Sequence, residues 1–142
     1  MRFVDTCIIA YAYDLSEGGK RRKCKELVES GFYGYEELAV SNQILAELFF
    51  VLTKKIENPI SSENAKTIVE GIIESENWVK IDYNSQTVRK AAITVNDDNG
   101  LHFWDALIAE TMIENKITEI YTENIRDFEK ISGIRVINPM LS

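Results

Sequence analysis

A chain of 142 residues, 45% of them hydrophobic and 27% charged, has the size and composition of one globular domain spanning residues 1–142, which excludes a disordered tail or a disulfide-framed miniprotein. A formal net charge of −7 excludes a general nucleic-acid coat, whose affinity would come from many Lys and Arg contacts to phosphate. No apolar run approaches the roughly 20 residues that span a bilayer and no signal layout opens the chain, so no membrane partner and a cytoplasmic location are expected. Cys7 and Cys24 lack metal-ligand spacing and are expected to stay reduced.

Residues 2–5 read as a strand, and Ile8, Ile9, Tyr11, Ala12 and Tyr13 as a short helix leaving its end. After a break at residues 16–19, the helical spacing of Cys24, Leu27 and Val28 predicts a helix over residues 20–30, with Gly31 as its C-terminal cap. Its five basic residues, Lys20, Arg21, Arg22, Lys23 and Lys25, read as a solvated face, with binding of phosphates or an acidic partner as the alternative. Leu38 to Val40 fits a buried strand, and Ser41 or Asn42 caps a strongly apolar helix over residues 43–55. An amphipathic helix over residues 62–75 carries Ala65, Ile68, Val69, Ile72 and Ile73 on one face. Trp78 to Asp82 alternates like a strand, Asn84 or Ser85 caps a helix to about Val95, and residues 96–100 form a polar turn cluster. A helix over residues 103–115, a strand over 117–122, a helical turn over 124–130 and a strand over 134–137 complete the chain. Strands alternating with helices of this length predict an α/β fold: three α/β/α layers around a central parallel sheet of four to five strands.

Four acids stand out against this frame. Asp5 follows the first strand, and the C-terminal ends of parallel strands are where open α/β sheets place their ligand crevices. Glu47 sits among Ile44, Phe50 and Val51 at helical spacing, so it either lies on a narrow wet stripe or serves a cation, a metal or an open pocket. Asp105 lies in a helix's first turn, a position that the helix dipole favours for any acid and equally for an ionised metal ligand. Asp127 follows the fourth strand, where pairing with Arg126 or a helix amide is the ordinary alternative. Acids gathered in one crevice repel unless a cation neutralises them, and hard oxygen donors without His or Cys select Mg²⁺ or Mn²⁺. His102, the only histidine, has no paired nucleophile and reads as a cap or packing residue, with a role near the substrate as the lesser alternative. Trp78 and Trp104 read as core or interface rather than base-stacking platforms, and no Gly-rich phosphate loop is present.

Phe3 Val4 Asp5 Thr6, the Glu47 helix, Phe103 Trp104 Asp105 Ala106 Leu107 Ile108 Ala109, Thr122 Glu123 Asn124 Ile125 Arg126 Asp127 Phe128 and Val136 Ile137 Asn138 Pro139 resemble a PIN-domain protein of the VapC toxin type over essentially the whole chain. The resemblance implies a Mg²⁺- or Mn²⁺-dependent endoribonuclease, cutting RNA by in-line attack of activated water to leave a 5′-phosphate and a 3′-hydroxyl. It also implies a small VapB-type antitoxin as partner, and a homodimer is expected. Asp5, Glu47 and Asp105 match the family's three principal acids. Where many relatives carry a fourth acid, two residues after the Thr of the last motif, this chain has Asn124. Asp127 is the expected replacement and Glu123 the alternative, with Thr6 and Thr122 orienting ligands or water by hydrogen bonds. Two rivals stand beside this reading: an RNA-binding or assembly module with a weakened site, and a phosphatase using Asp5 as nucleophile. The second would want an acid at position 7, where Cys7 stands.

Overall fold

Short apolar runs such as Phe3–Val4 and Leu38–Val40 make the inner strands, as expected where a parallel sheet is covered on both faces, while Val79–Ile81 alternates about an exposed Lys80. The computed structural model describes residues 1–97 and 100–141. Its order is β1 (Arg2–Val4), α1 (Thr6–Tyr13), α2 (Gly19–Tyr33), β2 (Leu38–Ser41), α3 (Asn42–Lys54), α4 (Ser62–Glu74), β3 (Val79–Ile81), α5 (Ser85–Asp97), α6 (Phe103–Glu114), β4 (Glu119–Tyr121), α7 (Ile125–Glu129) and β5 (Arg135–Ile137). The five strands form one parallel sheet in the order β3-β2-β1-β4-β5. Helices cover both faces, giving the expected three-layer α/β/α architecture.

The topology decides where a crevice can form. From β1 the chain steps outward through β2 to β3, then returns across the sheet to β4 and β5. Right-handed crossovers place α1–α4 on one face and α5–α7 on the other, so the strand order reverses between β1 and β4. Val4 pairs with Tyr121 in register, and the Asp5 amide donates to the Tyr121 carbonyl at 3.0 Å. Asp5 and Thr122 therefore leave the sheet side by side at the reversal.

Several expectations shift by a residue or a turn, each for a local reason. Gly31 does not cap α2: it lies inside the helix against Leu38 and Trp78, and Gly34, at φ +77°, turns the chain out by donating to the Gly31 and Ser30 carbonyls. On α4, Ala65 and Ile72 are buried but Ile73 is 45% exposed, because the helix packs by a narrower stripe than the apolar pattern suggested. Asn96 and Asp97 continue α5 instead of opening the turn, while Asp98 and Asn99 lie outside the described residues. The third and fourth strands shorten to three residues each, leaving Trp78, fully buried, and Thr122 just outside the ladder.

The core gathers Phe3 and Val4 of β1, Leu38 and Val40 of β2, Ile8 and Ile9 of α1, and Ile44, Leu48 and Leu52 of α3, all without exposure. Each such side chain contributes about 1.5–3 kcal/mol relative to leaving it in water. The Ile44, Leu48, Leu52 stripe fixes the rotation of α3. That rotation sets Glu47 at the edge of the buried face and leaves Phe49 and Phe50 outside it, 38% and 52% exposed.

Candidate metal centre

At the strand-order reversal Asp5 is the N-cap of α1, with its Oδ1 accepting from the Thr6 amide at 2.8 Å. Its Oδ2 accepts from the Thr122 hydroxyl at 2.7 Å, so a residue following β4 orients the acid following β1. Thr6 also reaches α3, its hydroxyl donating to Glu47 Oε2 at 2.9 Å, and Gln43, one turn earlier, donates from Nε2 to Glu47 Oε1 at 2.9 Å. The same Gln43 amide donates to the Trp104 carbonyl at 3.2 Å, tying α3 to the start of α6.

Asp105 and Asp127 stand in the first turns of α6 and α7. Asn124 joins them, its Nδ2 donating to Asp105 Oδ2 at 3.2 Å and to Asp127 Oδ2 at 3.1 Å. Its own amide donates to the Thr122 hydroxyl at 3.0 Å, which connects this pair to Asp5. Asp5, Glu47, Glu123 and Asn124 line one cleft of about 420 Å³. Glu47 and Phe50 also wall a second, neighbouring cleft of about 460 Å³ with Gln43, Tyr83 and Trp104.

Glu123 is engaged differently from the other acids. Its carboxylate accepts from the Tyr11 hydroxyl at 2.8 Å and pairs with Lys20 at 3.1 Å, and Lys20 in turn lies over the Tyr11 ring. The basic segment of α2 is thus partly consumed inside the molecule, for Lys23 also donates to the Met140 carbonyl and Lys25 pairs weakly with Glu29.

Burial first, and neighbouring charge second, weaken the acidity of the groups gathered here. Burial pushes the Asp5 carboxyl above its ordinary value, with the Thr122 and Thr6 hydrogen bonds opposing it and Glu47 adding to it. Asp105 is raised to about 6, first by burial and then by the charges of Asp5 and Asp127. Burial, followed by Asp5, pushes the Cys7 thiol up to about 12, which leaves it protonated and unreactive at neutral pH. Buried carboxylates whose charges act on one another, as those of Asp5 and Asp127 act on Asp105 and that of Glu47 on Asp5, are a donor set that a divalent cation fits.

Other residues of the site gave little sign in the sequence. Gln43 stands one turn before Glu47 in the sequence, the spacing at which helical side chains meet. Tyr11 carried no signal. His102 is neither capping nor packed: it occupies the N-cap position of α6 without a side-chain capping bond, and it is exposed. The tryptophans divide, Trp78 being core and Trp104 59% exposed against the edge of Phe103.

Comparison with known proteins bears on the fold. No curated protein matches the sequence at a significant level. Among solved structures the chain is similar to the VapC20 toxin of Mycobacterium tuberculosis, described as cleaving the sarcin-ricin loop, at 16% identity and a TM-score of 0.72 over 92% of this chain and 95% of that one. It is also similar to a toxin-antitoxin complex from Klebsiella pneumoniae, at 20% identity and a TM-score of 0.64 over 98% of each chain. DNA-bound VapBC from Salmonella typhimurium gives 21% identity, a TM-score of 0.64 and the same coverage. The model of the PIN domain matches residues 2–134, nearly the whole length, and the chain belongs to the PIN-domain family.

Proposed function

We propose that this chain is a Mg²⁺- or Mn²⁺-dependent endoribonuclease and the toxin of a type II toxin–antitoxin pair. The observation that carries the reading is the run of contacts linking the four acids: Thr6 joins Asp5 to Glu47, Thr122 joins Asp5 to Asn124, and Asn124 holds Asp105 and Asp127, with carboxyl acidity weakened at Asp5 and Asp105. Asp5, Asp105, Glu47 and Asp127 are the residues that would hold the ion. A divalent cation bound there supplies Lewis-acid stabilisation of the phosphoryl centre and activation of water.

The chain's own residues do the positioning. Thr122 and the Thr6 amide pin both oxygens of Asp5, while Thr6 and Gln43 each hold one oxygen of Glu47. Asn124 takes one oxygen of Asp105 and one of Asp127, and so fixes the two acids relative to each other. Such supporting hydrogen bonds typically matter tenfold to a hundredfold in metal affinity or activity, by order of magnitude about the same as seen for other carboxylate sites. Glu123, occupied by Tyr11 and Lys20, is better suited to shaping the rim than to binding the ion.

A small VapB-type antitoxin and a homodimer are part of the proposal. Phe50 on α3, exposed and lining both clefts, favours a protein partner on that face. The test is cleavage of a structured RNA by the purified chain in Mg²⁺ or Mn²⁺, in EDTA, and by Asp5→Asn. We expect loss by roughly a hundredfold or more in both EDTA and the variant. Cleavage indifferent to both would reject the proposal, whereas RNA binding without cleavage would favour the binding-module alternative.

A further inference from the structure

Beside the carboxylates stands a nitrogen donor that the oxygen-only reading of the site leaves unused. His102, Asp105 and Asp127 each present one ligand atom, and the three atoms lie within 4.8 Å of one another. Ligands about 2.0–2.2 Å from an ion stand roughly 3–4.4 Å apart, so modest side-chain rotation closes the group around one cation. The residue at this position is not explained by helix capping. Ser, Thr, Asn or Asp serve an N-cap best, and the His102 side chain makes no capping bond.

Asn124 supplies the second half of the argument. It stands where the family resemblance expects an acid, and here its amide acts as a donor to both Asp105 and Asp127. With its nitrogen holding both aspartates, Asn124 brings no negative charge to the ion, so the pair lacks the third charged ligand that an acid at this position would supply. Lys130 stands 3.9 Å from Asp127 Oδ1 and is loosely held. An imidazole nitrogen on the open side of the pair completes a three-donor set.

We propose that His102 is a direct ligand, with Asp105 and Asp127, of the divalent ion, and that its nitrogen makes the site select Mn²⁺ over Mg²⁺. Mg²⁺ keeps to oxygen donors and gives up its water reluctantly, whereas a transition-series ion accepts imidazole alongside carboxylate. This inference rests on the reading that the crevice holds a divalent cation. It adds which nitrogen reaches the ion and which ion is preferred.

Because His102 is the only histidine in the chain, isotopic labelling assigns any imidazole coordination to it without ambiguity. The experiment uses full-length protein grown with ¹⁵N-histidine, loaded with Mn²⁺ and studied by electron spin-echo envelope modulation. A directly coordinated ¹⁵N coupling is expected, absent in His102→Ala. Titration of the free-ion Mn²⁺ resonance should show affinity reduced about tenfold in His102→Ala, with the Mn²⁺-over-Mg²⁺ preference reduced by a similar factor. Wild-type protein that binds Mn²⁺ without ¹⁵N coupling overturns the inference and leaves the metal-dependent reading standing. Wild-type protein that binds no Mn²⁺ overturns both.

Discussion

Through Asp105, raised to about 6 by burial and by Asp5 and Asp127, pH reaches the crevice near neutrality. The folded chain holds this proton more tightly than the unfolded chain, whose carboxyl titrates near the ordinary value of about 4. In EDTA the stability that this proton contributes is therefore full below about pH 4 and is lost as pH rises through about 6. The shift of Asp5 runs the same way. We expect thermal midpoints in EDTA to fall between about pH 4.5 and 7, and Asp105→Asn to flatten that fall. Excess Mn²⁺ should do the reverse, raising the midpoint more at pH 7 than at pH 5, since the ion binds the ionised acids. A midpoint in EDTA that climbs over this range in wild type but not in the variant would contradict the assignment.

The elements that carry the acids rest on a closely packed core, and one tight point in it is where α2 meets β2. A Cβ added at Gly31 would meet Leu38 Cδ1 at 2.8 Å and Trp78 Cε2 at 2.9 Å, and both of those side chains are fully buried. They have no room to give way. Alanine gains about 0.5–1 kcal/mol of helix propensity over glycine, but overpacking typically costs about 1–3 kcal/mol. We expect Gly31→Ala to be destabilising on balance by roughly 1–2 kcal/mol in urea unfolding, with Mn²⁺ affinity unchanged below the melting range. The same contact explains why Gly31 resembled a cap in the sequence and is not one. A glycine near a helix end has two uses, and the choice between a left-handed exit and a tight packing site depends on Trp78, 47 residues further along the chain.

For the molecule as a whole, a net charge of −7 opposes RNA, and the basic residues of α2 are partly tied to Glu123, Glu29 and the Met140 carbonyl. Raising monovalent salt from about 50 to about 200 mM at fixed Mn²⁺ should change the KM for a short RNA by less than about tenfold, against the roughly 10³–10⁵ lost by proteins that neutralise six to ten phosphates. A steep loss of affinity would instead mark the α2 face as an RNA-binding surface. The sequence by itself determined the alternation of buried strands with amphipathic helices, and with it the parallel α/β class. It also determined the candidacy of Asp5, Glu47 and Asp105, acids whose oddity shows against their own neighbours. These are local properties, legible from periodicity and from the cost of placing a carboxylate among apolar side chains. Only the tertiary structure decided that strand order reverses between β1 and β4, that Thr122 holds Asp5, that Gln43 holds Glu47, and that Glu123 turns to Tyr11 and Lys20 while Asp127 meets Asp105 through Asn124. It alone also brings His102 within reach of both aspartates. Most of these meetings join different elements and follow from crossover handedness and strand register, which no window of neighbouring residues contains.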